Sequence, residues 1–172
     1  MCETMVKKAM FTAGHVPKGG TCFSSFIITE KEGRVLAGKM AKPEIWVERF
    51  LVGPQFAPKY PASGKWLLPA SHLKFGESPD ECARRIVREQ LLVAVGDCRL
   101  VGIQSHLSGE STDIEDAHWD LCIIYTATIP EPKQVPEWFS ELRYVPVKGL
   151  KSSDFTRGHG DILEQLGIIG KE

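Results

Sequence analysis

Within this 172-residue chain the side chains of types that carry chemistry fall into a few groups. Glu77, Arg85 and Glu89 share one stretch, Trp66 to Leu91, and give it an acidic and basic edge. His118 and Asp120 are two apart in a β-prone run, so they share one face of a strand and set an imidazole beside a carboxylate, groups able to take a proton. His72 with Lys74, and Arg157 with His159, put basic groups into loops where an anion could be met, the second pair just before a closing helix. Each has a plainer reading, since strand-end polar pairs and loop basic residues are commonly just solvated.

The elements that must hold these groups follow from local signals. Ser78 can cap a helix, Pro79 suits its first position, and Glu81 completes a Ser-x-x-Glu capping box. Ala83, Val87, Leu91 and Ala94 then recur as an apolar stripe that faces a core. Upstream, Cys22 to Thr29 and Arg34 to Met40 read as two strands of a hairpin across the turn 30–33. Residues 41–65 combine a β-prone run, Ile45 to Val52, with a Pro- and Gly-rich loop, Gly53 to Gly64. Its Trp46, Phe50, Phe56, Tyr60, Arg49, Lys59 and Lys65 either touch a ligand or serve as core, dimer interface and solvated surface. Cys98 to Leu107 and His118 to Ile129 read as an antiparallel pair flanking an acidic loop, with a further strand over Trp138 to Val147 and a helix over Asp161 to Ile168.

The run through Gly76-Glu77-Ser78-Pro79 resembles the signature of the Nudix superfamily of diphosphate hydrolases. That signature is Gly, five residues, Glu, seven residues, then Arg-Glu-apolar-x-Glu-Glu-x-Gly-apolar. Glu77, Arg85, Val87 and Glu89 match it, whereas Ser71, Ile86, Gln90 and Leu92 stand where the family has Gly, Glu, Glu and Gly. Trp66-Leu-Leu-Pro69 is similar to the Trp-x-x-Pro that leads into the signature, with Ala70-Ser71 in place of Gly-Gly.

The resemblance implies an α/β fold, a Nudix-type α/β/α sandwich around a mixed β-sheet, over residues 1–172 as a single domain with 41–65 as an extended loop or strand insertion. It implies metal-dependent hydrolysis of a nucleoside diphosphate derivative or related small diphosphate, with Mg²⁺ or Mn²⁺ as cofactor. Positions 86, 89 and 90 are expected to project together, so the metal would fall to Glu89, with Gln90 offering at most a carbonyl oxygen. The base would come from Glu89, His118 or Asp120, or from His106 or the acidic loop Glu110 to Asp116. His72, Lys74 and Arg49 would contact the bound ligand, and Glu77 with Arg85 would form a structural salt bridge of the modest, exposed kind. Dimers are frequent among similar proteins. With two of the three carboxylates absent, the rival expectation is a non-catalytic module that binds a nucleotide-like ligand or a protein partner.

Composition sets the outer limits. A 42% apolar, 25% charged chain of net charge −1 gives no electrostatic case for nucleic acid or an anionic membrane as partner. Five widely spaced cysteines without a Cys-x-x-Cys pair fit reduced, buried thiols better than a disulfide framework or a zinc site. No signal peptide and no run of membrane-spanning length is present, so the expected location is the cytoplasm.

Overall fold

The computed structural model describes residues 21–50, 52, 57–108, 118–156 and 158–171, without the side chains of 106–108 and 118. The acidic loop Glu110 to Asp116, Phe56, Arg157 and the side chains of His106 and His118 therefore lie outside the described residues.

Two sheets carry the architecture. In the first, of order β4-β1-β6-β5, strand β1 (Thr21–Ile28) runs parallel to β6 (His118–Ala127) and antiparallel to the short β4 (Ala70–His72). β5 (Cys98–Ser108) pairs antiparallel with β6, as its sequence suggested. The second sheet is β2-β3-β7, built from Glu30–Lys31, Arg34–Met40 and Phe139–Pro146. The expected hairpin of residues 22–29 with 34–40 therefore forms only at its tip, where β2 meets β3. The chain changes sheets at Thr29, whose carbonyl accepts the Leu36 N–H at 2.9 Å.

Strand alternation explains the layers. Phe26 and Ile28 of β1 and Ile124 of β6 meet Val35, Ala37 and Val145 of the second sheet, and Ile162 and Leu163 of helix α4 (His159–Gln165) close that core. The neighbours of opposite parity, Ile27, Ile123 and Tyr125, take Cys82, Ala83, Ile86 and Val87 of the signature helix. On the far side of the second sheet, Leu36 and Met40 pack with Trp46, Phe50, Trp138 and Phe139. The result is a mixed sheet with helices on its flanks, an α/β arrangement as expected.

Residues 43–50 are a helix, α1 (Pro43–Phe50), and not the strand that their β-prone composition suggested. Pro43 opens it, Glu44 and Arg49 sit at the ends that suit their charges, and Trp46 and Phe50 are one turn apart on one buried face. A second short helix, α2 (Lys59–Ser63), occupies part of the expected loop. The closing helix α4 starts at His159, two residues earlier than expected, after a 3₁₀ turn at Ser152–Asp154. Among the described residues, no helix is long and apolar enough to cross a membrane.

The signature helix, α3 (Pro79–Arg85), has both halves of its capping box and then widens into a π turn over Ile86–Gln90. The Leu91 N–H reaches back to the Ile86 carbonyl at 3.2 Å. The stripe ends there, and Ala94 is exposed. Leu92, which occupies the signature's late glycine position, has φ +56° with its side chain 44% exposed. A left-handed backbone at that point is what glycine accommodates without a Cβ clash. Leu92→Gly is therefore expected to be more stable than Leu92→Ala by about 1 kcal/mol, the reverse of the order at an ordinary helix position. Urea unfolding of the two variants checks this, and an Ala variant equal to or above Gly would refute it.

Candidate functional site

The loop between β4 and α3 is fixed by one buried ion pair. Arg85 Nε and Nη2 donate to the two carboxylate oxygens of Glu77 at 2.6 and 2.9 Å, with side chains only 5% and 7% exposed. The expectation of an exposed pair is thus corrected: burial is deep, and its desolvation is offset by a full set of partners. Arg85 Nη1 donates to Ser71 Oγ at 3.2 Å and Nη2 to the His72 carbonyl at 2.9 Å, while Glu77 also accepts the Lys74 N–H at 2.9 Å. Burial alone would raise the Glu77 carboxyl, but the hydrogen bond and charge of Arg85 and the Lys74 N–H outweigh it and hold the pKa below the usual carboxylate value.

Positions 86 and 90 share one buried row, and Glu89 beside them is half-buried. Cys82, Ile86 and Gln90 form a second buried row beside Ala83 and Val87, so the apolar face is two rows wide and leaves only Glu89 at its border. Gln90 is fully buried, its Oε1 accepting the Ala70 N–H at 3.1 Å and its Nε2 donating to the Ala70 carbonyl at 3.0 Å. Its carbonyl oxygen is thus spent on β4, which corrects the expectation that it faces a metal. Half-buried Glu89 lies close enough to Arg85 to strengthen that residue's positive charge.

On the opposite face of the first sheet lies a cavity. Its walls are Ser24 and Phe26 of β1, Ala70, Ser71 and His72 of β4, Asp120 and Cys122 of β6, and Trp46, Phe50 and Tyr60 from the helices, with His159 at the start of α4. Trp46 and Phe50 meet edge to face at 5.1 Å, Phe50 lies 5.3 Å from Trp138, and Arg49 caps the group 4.8 Å above the Trp138 ring. These aromatics are core and cavity wall at once, a mostly apolar surface with a few convergent polar groups, the usual make-up of a small-molecule site.

Of the residues singled out from sequence, His72 and Asp120 come together at this cavity. His159 joins them, with Nδ1 accepting the Leu68 N–H at 2.9 Å and its ring packed on Phe26. Lys74 and Arg49 are not among the lining residues, nor is Glu89. Cys22, which sequence reasoning treated only as a thiol, hydrogen-bonds to Asp120 through its Sγ. None of the described cysteines is in a disulfide; Cys22, Cys82 and Cys122 are buried, and burial pushes the Cys82 thiol up to about 11.

Two stability predictions follow from this geometry. Because the folded-state pKa of Glu77 is depressed, its contribution is present at neutral pH and is lost as pH falls below about 4.5. Glu77→Gln is expected to lose part of the stability at pH 7 and to flatten the acid limb of the stability curve, as read by denaturant unfolding across pH 3 to 7. An acid limb as steep as that of the parent chain would remove Glu77 as its source. Gln90→Glu turns a donor toward the Ala70 carbonyl into an acceptor and is expected to cost about 1–3 kcal/mol. A variant of unchanged stability would mean that the clasp on Ala70 contributes nothing.

The fold is shared with known proteins. The chain resembles the MutT NUDIX hydrolase from Burkholderia pseudomallei at 17% identity and TM-score 0.61, over 85% of this chain and 98% of that one. It also resembles the MutT protein from Bacillus halodurans at 18% identity and TM-score 0.56, over 84% and 81% of the two chains. At these identities the likeness is one of fold. No curated protein matches the chain. The family model for the NUDIX domain matches residues 24–166, with the Arg85–Glu77 frame inside the match, and the chain belongs to that family.

Proposed function

We propose that the chain binds a small nucleotide-like diphosphate with its body in the aromatic cavity and its phosphates extending past the β4 edge toward the end of the signature helix, and hydrolyses it slowly, with Glu89 as the signature residue that meets the metal. The observation that carries this reading is the cavity itself, walled by β4 and lined by His72 and Asp120, beside a signature loop that Arg85 and Glu77 keep in place. The family likeness supplies the reaction class, hydrolysis of a nucleoside diphosphate derivative or related diphosphate.

The donors fit a metal that arrives with its substrate rather than a resident one. Mg²⁺ and Mn²⁺ favour oxygen ligands, and Mg²⁺ commonly binds through one or two carboxylates together with substrate phosphates and water. Glu89 is the one carboxylate the signature helix retains at the three ligand positions. When bound, such an ion neutralises charge building on the phosphoryl group. The chain's own contributions are to bury the base-like part of the ligand among aromatics and to meet its polar groups with His72 and Asp120. Asp120 is the candidate to take a proton from water, with His118 as the alternative on the same strand.

A non-catalytic binding module is the second reading. It is favoured by the burial of Ile86 and the commitment of Gln90 to β4. A screen of diphosphate compounds with Mg²⁺ and with Mn²⁺, parent chain beside Glu89→Gln, separates the two. The hydrolase reading expects slow release that falls by about a hundredfold in the variant, a loss of about 2.7 kcal/mol of transition-state stabilisation. Release that is unchanged in the variant removes Glu89 from the reaction. No release from any compound, with thermal stabilisation by one of them, establishes the module instead.

A further inference from the structure

The cavity wall holds a set of donors apart from the signature helix, and two of them, His72 and Asp120, are those the reading above sets against the ligand. Cys22 lies opposite Asp120 in the parallel β1–β6 register, and Ser24, two residues on, lies opposite His72 in the β1–β4 register. The pleat therefore turns Cys22, His72 and Asp120 to one face of the sheet. That face is turned away from the signature helix, which packs on the opposite side through Ile27 and Ile123 and where Ser25 donates to the Pro79 carbonyl at 3.1 Å. One ligand atom from each of the three, Sγ, an imidazole nitrogen and a carboxylate oxygen, lies within 4.8 Å of the others.

We propose that Cys22, His72 and Asp120 bind a thiophilic divalent transition metal, Zn²⁺ or a close analogue, at the wall of the cavity. Three protein donors of the S, N and O types with one position left open are the pattern of an exchangeable zinc centre. Ligand atoms around a tetrahedral zinc are roughly 3.5 Å apart, so small side-chain rotations bring this set into place. Charge also balances. A thiolate and a carboxylate supply two negative charges to a dication, which lowers the cost of holding it where Cys22 is 0% and Asp120 7% exposed. The thiol proton now directed at Asp120 leaves to solvent when the metal binds.

Two features fix the kind of site. His72 and Asp120 line the cavity, so the open position faces the space where a ligand enters and would hold water or a donor atom of the occupant. The thiolate separates this centre from the oxygen-ligand chemistry of Glu89, because Mg²⁺ does not select sulfur.

The test is a metal titration of the full chain, stripped with a chelator under reducing conditions, using Co²⁺ as the optical reporter and Zn²⁺ as competitor. One equivalent of Co²⁺ is expected to give a thiolate-to-metal charge-transfer band and the intense visible bands of a four-coordinate ion, both abolished by Zn²⁺. Cys22→Ser is expected to lose the charge-transfer band. Asp120→Asn and His72→Ala are expected to weaken binding by more than the roughly 10–100-fold that loss of an outer-shell partner costs. Glu89→Gln is expected to bind as the parent chain does, which separates this centre from a metal held by the signature helix. Circular dichroism establishes that each variant folds, and if Cys22→Ser does not, the decision rests on the other two. Absence of the charge-transfer band in the parent chain, its persistence in folded Cys22→Ser, or unchanged affinity in both Asp120→Asn and His72→Ala would overturn the site.

Discussion

Arg85 is a full charge taken almost wholly out of water, and the geometry around the cavity depends on how it is compensated. β4 is a three-residue edge strand, so its outer backbone groups have no neighbouring strand to pair with. The signature helix supplies those partners from side chains: Gln90 serves both the N–H and the carbonyl of Ala70, and Arg85 serves the carbonyl of His72. An edge left unpaired in a buried setting would cost free energy at each group. Lysine could not replace Arg85 here, because the planar guanidinium reaches Glu77 with two parallel bonds while still meeting Ser71 and His72.

The same logic extends from the end of the helix to the aromatic shell. The Trp138 indole donates to the Gln90 carbonyl at 2.9 Å, and the Trp46 indole donates to the Trp138 carbonyl at 2.7 Å. Gln90 is thus tied through its side chain to β4 and through its backbone to the aromatics that wall the cavity. The helix ends at Gln90, where a backbone carbonyl has no partner within the helix, and Trp138 takes that oxygen up.

What could be read from the sequence was local. Ser78, Pro79 and Glu81 specify a helix start through neighbouring atoms, and the cap forms as read. The strands 98–108 and 118–127 were legible from their composition, and their pairing from their adjacency. Ile45 to Val52 reads as β-prone because Ile45, Val47 and Phe50 favour strands in isolation, while burying Trp46 and Phe50 on one face makes Pro43–Phe50 a helix in the folded chain. Thr29 gave no hint of a change of sheet, since pairing partners are chosen by packing over long range. Gln90 was misjudged for a related reason: a polar residue after an apolar row suggests an outer face, and only the backbone of Ala70, 20 residues earlier, makes its burial favourable.

The approach of Cys22 to Asp120, 98 residues apart, belongs to the same long-range class and could not be inferred from spacing. It arises because β1 and β6 run parallel, an arrangement that no short connection announces. The sheet then separates two donor sets of different character. Half-buried Glu89 lies on the signature helix, whereas Cys22, His72 and Asp120 lie at the cavity wall beside Trp46 and Phe50. The cavity face still depends on that helix, because Gln90 and Arg85 hold β4, whose Ala70, Ser71 and His72 form one wall of the cavity.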